Sequence, residues 1–366
     1  MLEKLKAYFL PNPSHRPIFD WMRVFACIGI IGTHVTSDRS DPMGITFQNT
    51  FVLALPMFFL LSGVLFLTRK KEEPLGAFYL KRFESVVLPF FIYGAYYTCW
   101  INQGHAILER PTAESLGNAF RLIPLSWQQT FEGLQYFHLW FMYEIIGLYL
   151  VMPFLKKGLQ AMSEKMLKAL FFIILLLMGL QSYLPAFGHA LTITNYFAYW
   201  ILYLIIGYIL MQDFARKSYL WIALVGFVMY VSTLRLEFRH YEFSQRIQFL
   251  HDLAPHMILQ VAGLFAFCML LEPLINRLKI VNIVISRLAR YTLGVYLIHG
   301  YIVSWWSFSY GTSSGTIQGT FHTLFWVTLL SFAFALVFDN LITFNLQRLF
   351  RLIVNAVRSR RQSAHE

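Results

Sequence analysis

Charged residues are scarce in this chain: Asp, Glu, Lys and Arg together make up only 13% of its 366 residues. Hydrophobic residues make up 57%, and the mean hydropathy is +0.53. This composition excludes a water-soluble globular protein and a disordered one, and it is typical of a protein that crosses a membrane several times. The first expected partner is therefore the lipid bilayer.

Cysteine is also scarce, and the three cysteines all lie in apolar stretches. There they act as small hydrophobic residues, which excludes a disulfide framework and a cysteine metal site. Basic residues give a net charge of +11, but they occur as short clusters at the ends of apolar stretches, as at Arg69, Lys70 and Lys71. We predict no metal and no nucleic-acid partner.

Long apolar runs are abundant, and their lengths predict an all-α, polytopic bundle of about ten transmembrane helices. The predicted spans lie near residues 18–37, 47–67, 84–101, 137–155, 167–186, 194–212, 218–233, 254–272, 291–310 and 320–344. Within these runs, we expect Gly207 and Gly263 to allow close approach of helices.

The distribution of Lys and Arg predicts the orientation. If the N-terminus is cytoplasmic, most of the 30 Lys and Arg fall in cytoplasmic segments, so the positive-inside rule places both termini in the cytoplasm. We predict an interfacial segment at 1–17, one membrane domain at 18–345 and a basic cytoplasmic tail at 346–366. Self-association into a homo-oligomer is compatible with this organisation.

The first span carries two ionisable residues, Arg23 and His34. Eleven residues are close to three helical turns, so the two side chains share a face about 16 Å apart along the axis. Ionisable groups at membrane depth are costly and usually functional. Histidine titrates near neutral pH, so His34 suits a general base or a nucleophile, and the alternative is a structural hydrogen bond between helices.

Five segments in order along the chain resemble the membrane acyltransferase family known as type three. They are Asp20, Arg23 and His34 in the first span, Leu61–Phe66, Phe78–Arg82 leading to Pro89, His138–Glu144 before Pro153, and Tyr291–His299. Within the family, the chain is most similar to short, single-domain O-acetyltransferases of bacterial surface polysaccharides such as enterobacterial common antigen.

The resemblance implies transfer of an acyl group, usually acetyl, from cytoplasmic acetyl-CoA to a hydroxyl of an envelope polysaccharide or lipid-linked glycan, in the bacterial cytoplasmic (inner) membrane. The family's arginine, ten intervening residues and histidine map onto Arg23 and His34. Of the family's second pair of arginines, Arg82 matches, whereas Ser85 replaces the other, and Lys81 is able to supply the missing charge. We expect Arg23, Lys81 and Arg82 to bind the donor phosphates.

These basic residues have simpler explanations as well. Arg23 is one turn from Asp20 and can pair with it. Lys81 and Arg82 can serve as ordinary positive-inside anchors.

Four residues complete the predicted site. Glu144 is expected to orient His34 or to bind a sugar hydroxyl, or else to pair with a basic residue such as Arg23. His138 and Trp140 are expected to contact a sugar, or to belong to an interfacial aromatic belt. His299 recurs in the family and either contacts substrate or packs in the core. The main alternative function is export of a glycan without acyl transfer.

Overall fold

The computed structural model describes residues 15–36, 42–69, 71–109, 112–133, 136–183, 200–244, 254–311 and 316–363. Within these ranges every regular element is helical, as the composition predicts. The α-helices are α1 Pro17–Val35, α2 Pro42–Phe51, α3 Ala54–Leu67, α4 Leu75–Arg82, α5 Leu88–Glu109, α6 Ala113–Arg121, α7 Ile123–Phe131, α8 Trp140–Gln160, α9 Glu164–Tyr183, α10 Trp200–Leu210, α11 Asp213–Arg216, α12 Tyr219–Ser244, α13 Pro255–Ile275, α14 Lys279–Leu288, α15 Thr292–Tyr310, α16 Ile317–Phe338 and α17 Phe344–Ser363. Two π-helical segments, Phe83–Val87 and Asp339–Thr343, and a 3₁₀ turn, Phe137–Leu139, interrupt them.

Among the described residues, seven helical stretches are long and apolar enough to cross a membrane, or eight if the bent pair α14 and α15 forms one span. The seven are Pro17–Val35, Met43–Leu67, Phe137–Gln160, Glu164–Tyr183, Tyr219–Arg239, Pro255–Ile275 and Ile317–Arg360. Two more predicted spans correspond to α5 and to α10, which has only 11 residues. The count of ten and the cytoplasmic termini stay predictions.

The chain forms two compact units. Of the described residues, the first unit contains those within 1–71, 151–292 and 305–328, and the second contains those within 72–150, 293–304 and 329–366. The predicted domain limits at 17 and 345 stay predictions, and residues 1–14 of the N-terminal segment lie outside the described residues.

In the first unit, glycines set the spacing of two helix pairs. A Cβ on Gly63 of α3 would lie 2.6 Å from the Cα of Leu204 on α10, and one on Gly207 would collide with the carbonyl of Leu60. Gly226 of α12 and Gly263 of α13 face each other in the same way, with 2.5 Å between an added Cβ and the opposite Cα. The predicted role of Gly207 and Gly263 in close helix approach is confirmed.

In the second unit, buried tyrosines of α5 hold the interior together. Tyr93 donates a hydrogen bond to Asp339 (3.0 Å), and Tyr97 donates one to the carbonyl of Leu297 (2.5 Å). Both tyrosines are almost completely buried. Because a buried hydroxyl without a partner is costly, these bonds specify which faces of the helices meet.

Candidate functional site

Helix α1 carries the two residues around which the sequence predicted the site. Pro17 occupies its first turn, where the missing N–H costs nothing, and most of its apolar side chains, including Ile18, Met22 and Ile31, are buried, whereas Phe25 is exposed. Arg23 and His34 both lie on this one helix, His34 in its last turn. Their predicted placement on a single continuous span is confirmed.

The N-terminal end of α1 holds a cluster of charges around Asp20, which is only 3% exposed. Arg23 forms an ion pair with Asp20 (Nη2–Oδ1 3.3 Å), and the ring of His15 lies 2.7 Å from the other carboxylate oxygen. The Asp20–Arg23 pairing named as an alternative is therefore present. The Nε of Arg23 is buried and has no hydrogen-bond acceptor among the described residues, so the guanidinium keeps one donor for another ligand.

A second ion pair fixes the start of the same helix. Arg16, directly before α1, forms a two-pronged contact with Glu272 of α13, in which the Nε–Oε1 distance is 2.7 Å. Trp21 donates to Asn282 of α14 at 2.8 Å. Bidentate arginine–carboxylate pairs impose a definite geometry, so this end of α1 is held against α13 and α14.

The C-terminal end of α1, where His34 lies half-buried, is held by a buried glutamine of α2. Gln48 donates through Nε2 to the carbonyl of Thr33 (2.8 Å) and also contacts the carbonyl and the hydroxyl of Thr36. The last carbonyls of a helix lack N–H partners within the helix, so Gln48 satisfies groups that would otherwise need water. These bonds bracket His34 and fix the turn that carries it.

Close packing also supports the contact between the C-terminal end of α1 and helix α2. Gly32, two residues before His34, faces the ring of Phe51 on α2, and a Cβ there would lie 2.7 Å from that ring. The next residue after Gln48, Asn49, is completely buried, and within the described part of the chain neither of its amide atoms has a hydrogen-bond partner. An unsatisfied buried amide is unfavourable, so Asn49 of α2 offers polar groups that a bound molecule can satisfy.

Sequence reasoning missed Gln48 and Asn49. Their signal was present, since two amides and Thr50 interrupt the apolar run that continues into α3. Polar residues at membrane depth, like charged ones, indicate a candidate functional site.

In the second unit, the predicted phosphate-binding residues lie at the end of α4. Lys81 is exposed and forms an ion pair with Glu73. The guanidinium of Arg82 lies 5.7 Å from the ring centroids of both Phe78 and Tyr149, which are cation–π distances. The two aromatic rings define the direction in which Arg82 extends.

The π-helical segment Phe83–Val87 follows directly, and it contains Ser85 where the family has its second arginine. A π-helical turn is rare and is often found at functional sites. Arg351 of α17 reaches this segment and pairs with Glu84 at 2.9 Å, and Gln347 donates to the carbonyl of Glu84. A second arginine thus reaches the π-helical segment that follows Arg82, although it lies 266 residues after Ser85 in sequence, and no sequence pattern indicated it.

His138 and His299 come together in the second unit, with ring centroids 4.6 Å apart and both side chains buried. The Nε2 of His138 lies 3.2 Å from the carbonyl of Leu297, and the Nδ1 of His299 lies 2.6 Å from that of Tyr296. A Cβ on Gly300 would collide with the ring of His138, so the glycine makes room for the pair. The sequence left open whether His299 contacts substrate or packs in the core, and its complete burial agrees with packing in the core.

The other two predicted residues lie on α8 and point outward. Glu144 is exposed, and no ion pair to it occurs among the residues that the structure describes. Trp140 is 41% exposed at the start of the helix, as either a sugar-stacking residue or a member of an interfacial belt would be.

The predicted site residues are thus divided between the two units. The first unit contains Arg23 and His34, and the second contains Lys81, Arg82, His138, Trp140, Glu144 and His299. Across the described ranges, no three His, Cys, Asp or Glu side chains are close enough together to hold a metal ion.

Comparison with known proteins gives one match. A family model described as "Acyltransferase domain" matches residues 16–340. Neither the curated proteins nor the solved structures that were compared with the chain gave a match. The family model begins at Arg16, extends through the charge cluster, α1 and the His138–His299 pair, and ends within the second π-helical segment, so it covers nearly the whole chain. The chain therefore belongs to this acyltransferase family, as a membrane protein.

Proposed function

We propose that this membrane acyltransferase transfers an acetyl group from cytoplasmic acetyl-CoA to a hydroxyl of a cell-envelope glycan or glycolipid. The observation that carries the proposal is the construction of α1. One candidate span has a fixed arginine near its first end and a histidine in a fixed turn at its other end. The resemblance to single-domain O-acetyltransferases of surface polysaccharides supports the choice of acetyl and glycan, and a location in the bacterial cytoplasmic membrane.

His34 is proposed as the general base. An acceptor hydroxyl attacks the carbonyl carbon of the thioester while the imidazole of His34 accepts the hydroxyl proton. The carbon–sulfur bond then breaks, and the departing thiolate of coenzyme A takes the proton from His34, which returns to its starting state. In a second version, His34 itself carries the acetyl group between donor and acceptor.

The phosphates of the donor need cationic hydrogen-bond donors. Each unit offers its own candidates. In the first unit, Arg23 pairs with Asp20 and has an Nε without an acceptor among the described residues. In the second unit, the alternative set is Arg82 and Lys81, with Arg351 paired to Glu84, the residue before Ser85. We propose Arg351 as the substitute for the family's second arginine, with Glu84 as the carboxylate that holds it until phosphate binds.

The function is tested by label transfer. Membranes that contain the wild-type protein should move radioactive acetyl from acetyl-CoA to envelope glycans or glycolipids, and membranes without the protein should not. Label that stays in coenzyme A, while the unmodified glycan still reaches the outer surface only when the protein is present, would instead establish an exporter.

Gln48 is predicted to be a positioning residue for His34. Replacing it with leucine removes the donor to Thr33 and Thr36, so we expect kcat to fall about tenfold, the effect of roughly one net buried hydrogen bond and one unsatisfied carbonyl. The KM for acetyl-CoA should stay unchanged. Initial rates at varied acetyl-CoA, for protein of equal folded amount, measure both constants.

The matched control is Gln128→Leu, at an exposed glutamine of α7 that bonds only to Glu132 among the described contacts. It should keep the wild-type kcat. Equal kcat values for the Gln48→Leu variant and the control would show that Gln48 does not position the base.

A further inference from the structure

A deep apolar groove of about 640 Å³ lies on the first unit between α12 and α13. Its walls are formed by Leu224 and Phe227 of α12 and by Leu264, Phe267 and Leu270 of α13. All five are substantially exposed, although they are large and apolar. Both helices are candidate spans, so the groove faces lipid hydrocarbon when the protein is in a membrane.

The groove is a consequence of the glycine contact at its floor. Gly226 and Gly263 let the two helix backbones meet, while the large side chains before and after them project outward on both sides. From Gln260 to Leu270 the groove follows α13 for ten residues, about 15 Å at 1.5 Å per residue. This is the shape of a channel for a hydrocarbon chain.

One end of the groove is polar. Thr50 of α2 and Tyr230 of α12 share a hydrogen bond of 2.7 Å between their hydroxyls there. Gln260, which is 2% exposed and lines the groove, donates through Nε2 to the hydroxyl of Thr233 at 2.9 Å. Its carbonyl oxygen Oε1 has no donor within the described part of the chain. A buried carbonyl in this state favours a ligand that brings a hydroxyl or amide donor.

The polar end is connected to the end of α1 that carries His34. Helix α2 packs against both α1 and α12. Its residue Gln48 bonds to the last turn of α1, and Thr50, two residues later, bonds to Tyr230 at the groove. A lipid whose tail lies in the groove therefore has its head group at the helix that holds the proposed base in place.

We propose that this groove seats the hydrocarbon tail of the acceptor, which is a glycolipid, and that Gln260 accepts a hydrogen bond from its head group. The proposal rests on the acyl transfer proposed above and narrows the acceptor from any envelope glycan to one anchored in the membrane. An ordinary membrane phospholipid fits the apolar walls equally well, but it brings no sugar hydroxyl to the carbonyl of Gln260.

The test uses dodecyl glucoside with a photoreactive diazirine in its alkyl chain, added to the full-length protein in lipid nanodiscs. After irradiation, mass spectrometry of peptides locates the label. We expect it on α12 and α13 beside the groove, and we expect competition by unlabelled dodecyl glucoside but not by the same excess of phosphatidylcholine, whose head group has no hydrogen-bond donor.

Two substitutions on α12 provide a matched pair. Ala223 lines the groove, so Ala223→Phe should fill it and reduce labelling roughly tenfold by displacing buried methylenes. Val225, two residues later, lines a different apolar groove of about 410 Å³, so Val225→Phe should leave the labelling unchanged. Gln260→Leu should retain labelling but abolish the preference for glucoside over phosphatidylcholine.

Labelling spread over all lipid-facing helices, labelling equally sensitive to both phenylalanine variants, or equal competition by phosphatidylcholine would overturn the proposal. Labelling is measured without acetyl-CoA, so it is independent of catalysis. Specific labelling without any acetyl transfer by the wild type would reject the proposed function and leave the groove site standing. Acetyl transfer with unspecific labelling would support the proposed function and reject the groove as the site of the acceptor tail.

Discussion

Replacing His34 with glutamine is expected to reduce kcat for acetyl transfer by roughly 10²- to 10⁴-fold, the usual contribution of a positioned general base. Glutamine keeps a side chain of similar length and can still hydrogen-bond, so the last turn of α1 should remain in place. It cannot accept the hydroxyl proton. Initial rates of label transfer, with protein amounts matched by folded fraction, measure the effect.

His322→Gln is the control for this substitution. His322 lies on α16, is exposed, and accepts a hydrogen bond from Trp326 at 3.0 Å. It should retain the wild-type rate. Transfer that survives in the His34→Gln variant would mean that another group is the base.

The same variant separates the two versions of the mechanism. If His34 carries the acetyl group, wild-type protein quenched during turnover should hold label at His34, and the His34→Gln variant should hold none. If His34 acts only as a base, neither protein should be labelled, although only the wild type transfers acetyl. Label trapped at a different residue would contradict both versions.

Adding a single methyl group at Gly63 is expected to destabilise the protein by about 1–3 kcal/mol, the cost of overpacking a filled interior. The added Cβ would lie 2.6 and 2.7 Å from the Cα and carbonyl carbon of Leu204, and a helix backbone cannot move aside as a side chain can. Helices α3 and α10 would therefore have to separate. We expect a lower unfolding temperature for Gly63→Ala, measured by tryptophan fluorescence in nanodiscs.

Gly147→Ala is the matched control. Gly147 lies within the candidate span of α8, and apart from its chain neighbours and the backbone of its own helix, no heavy atom of the described residues lies within 4 Å of an added Cβ. Since alanine favours the helix by up to about 1 kcal/mol over glycine, this variant should be as stable as the wild type or slightly more stable. Equal destabilisation by both substitutions would show that the α3–α10 contact does not set stability.

Much of the fold follows from local pattern. Long apolar runs specify helices, because a backbone in hydrocarbon must satisfy its own hydrogen bonds, and ten such runs were visible. Each of them overlaps a described helix, and seven helical stretches, or eight with the bent pair, are long and apolar enough to be spans among the described residues. A separation of eleven positions from Arg23 to His34 within one apolar run placed both on one helix, because the helical rise is fixed.

The number of spans is harder to predict from pattern. Helix α10 is strongly apolar but only 11 residues long, and its partner α3 approaches through Gly63 and Gly207. Hydropathy measures the preference of a segment for an apolar environment, and the interior of a helix bundle provides such an environment as well as lipid does.

The sequence by itself determined the class of protein, its helical segments and its acyltransferase family, since each depends on composition, spacing or short motifs. It offered the pairing of Arg23 with Asp20 as one alternative, and the structure contains that pair. The tertiary structure alone decided that Gln48 supports the turn of His34, that His138 meets His299, that Arg351 reaches Glu84, and that Gln260 lines an apolar groove. Those contacts join residues that are distant in the chain or on different helices. Hydrophobic periodicity states which face of a helix is apolar, but the partner of that face is chosen by shape complementarity and by the need to satisfy each buried polar group.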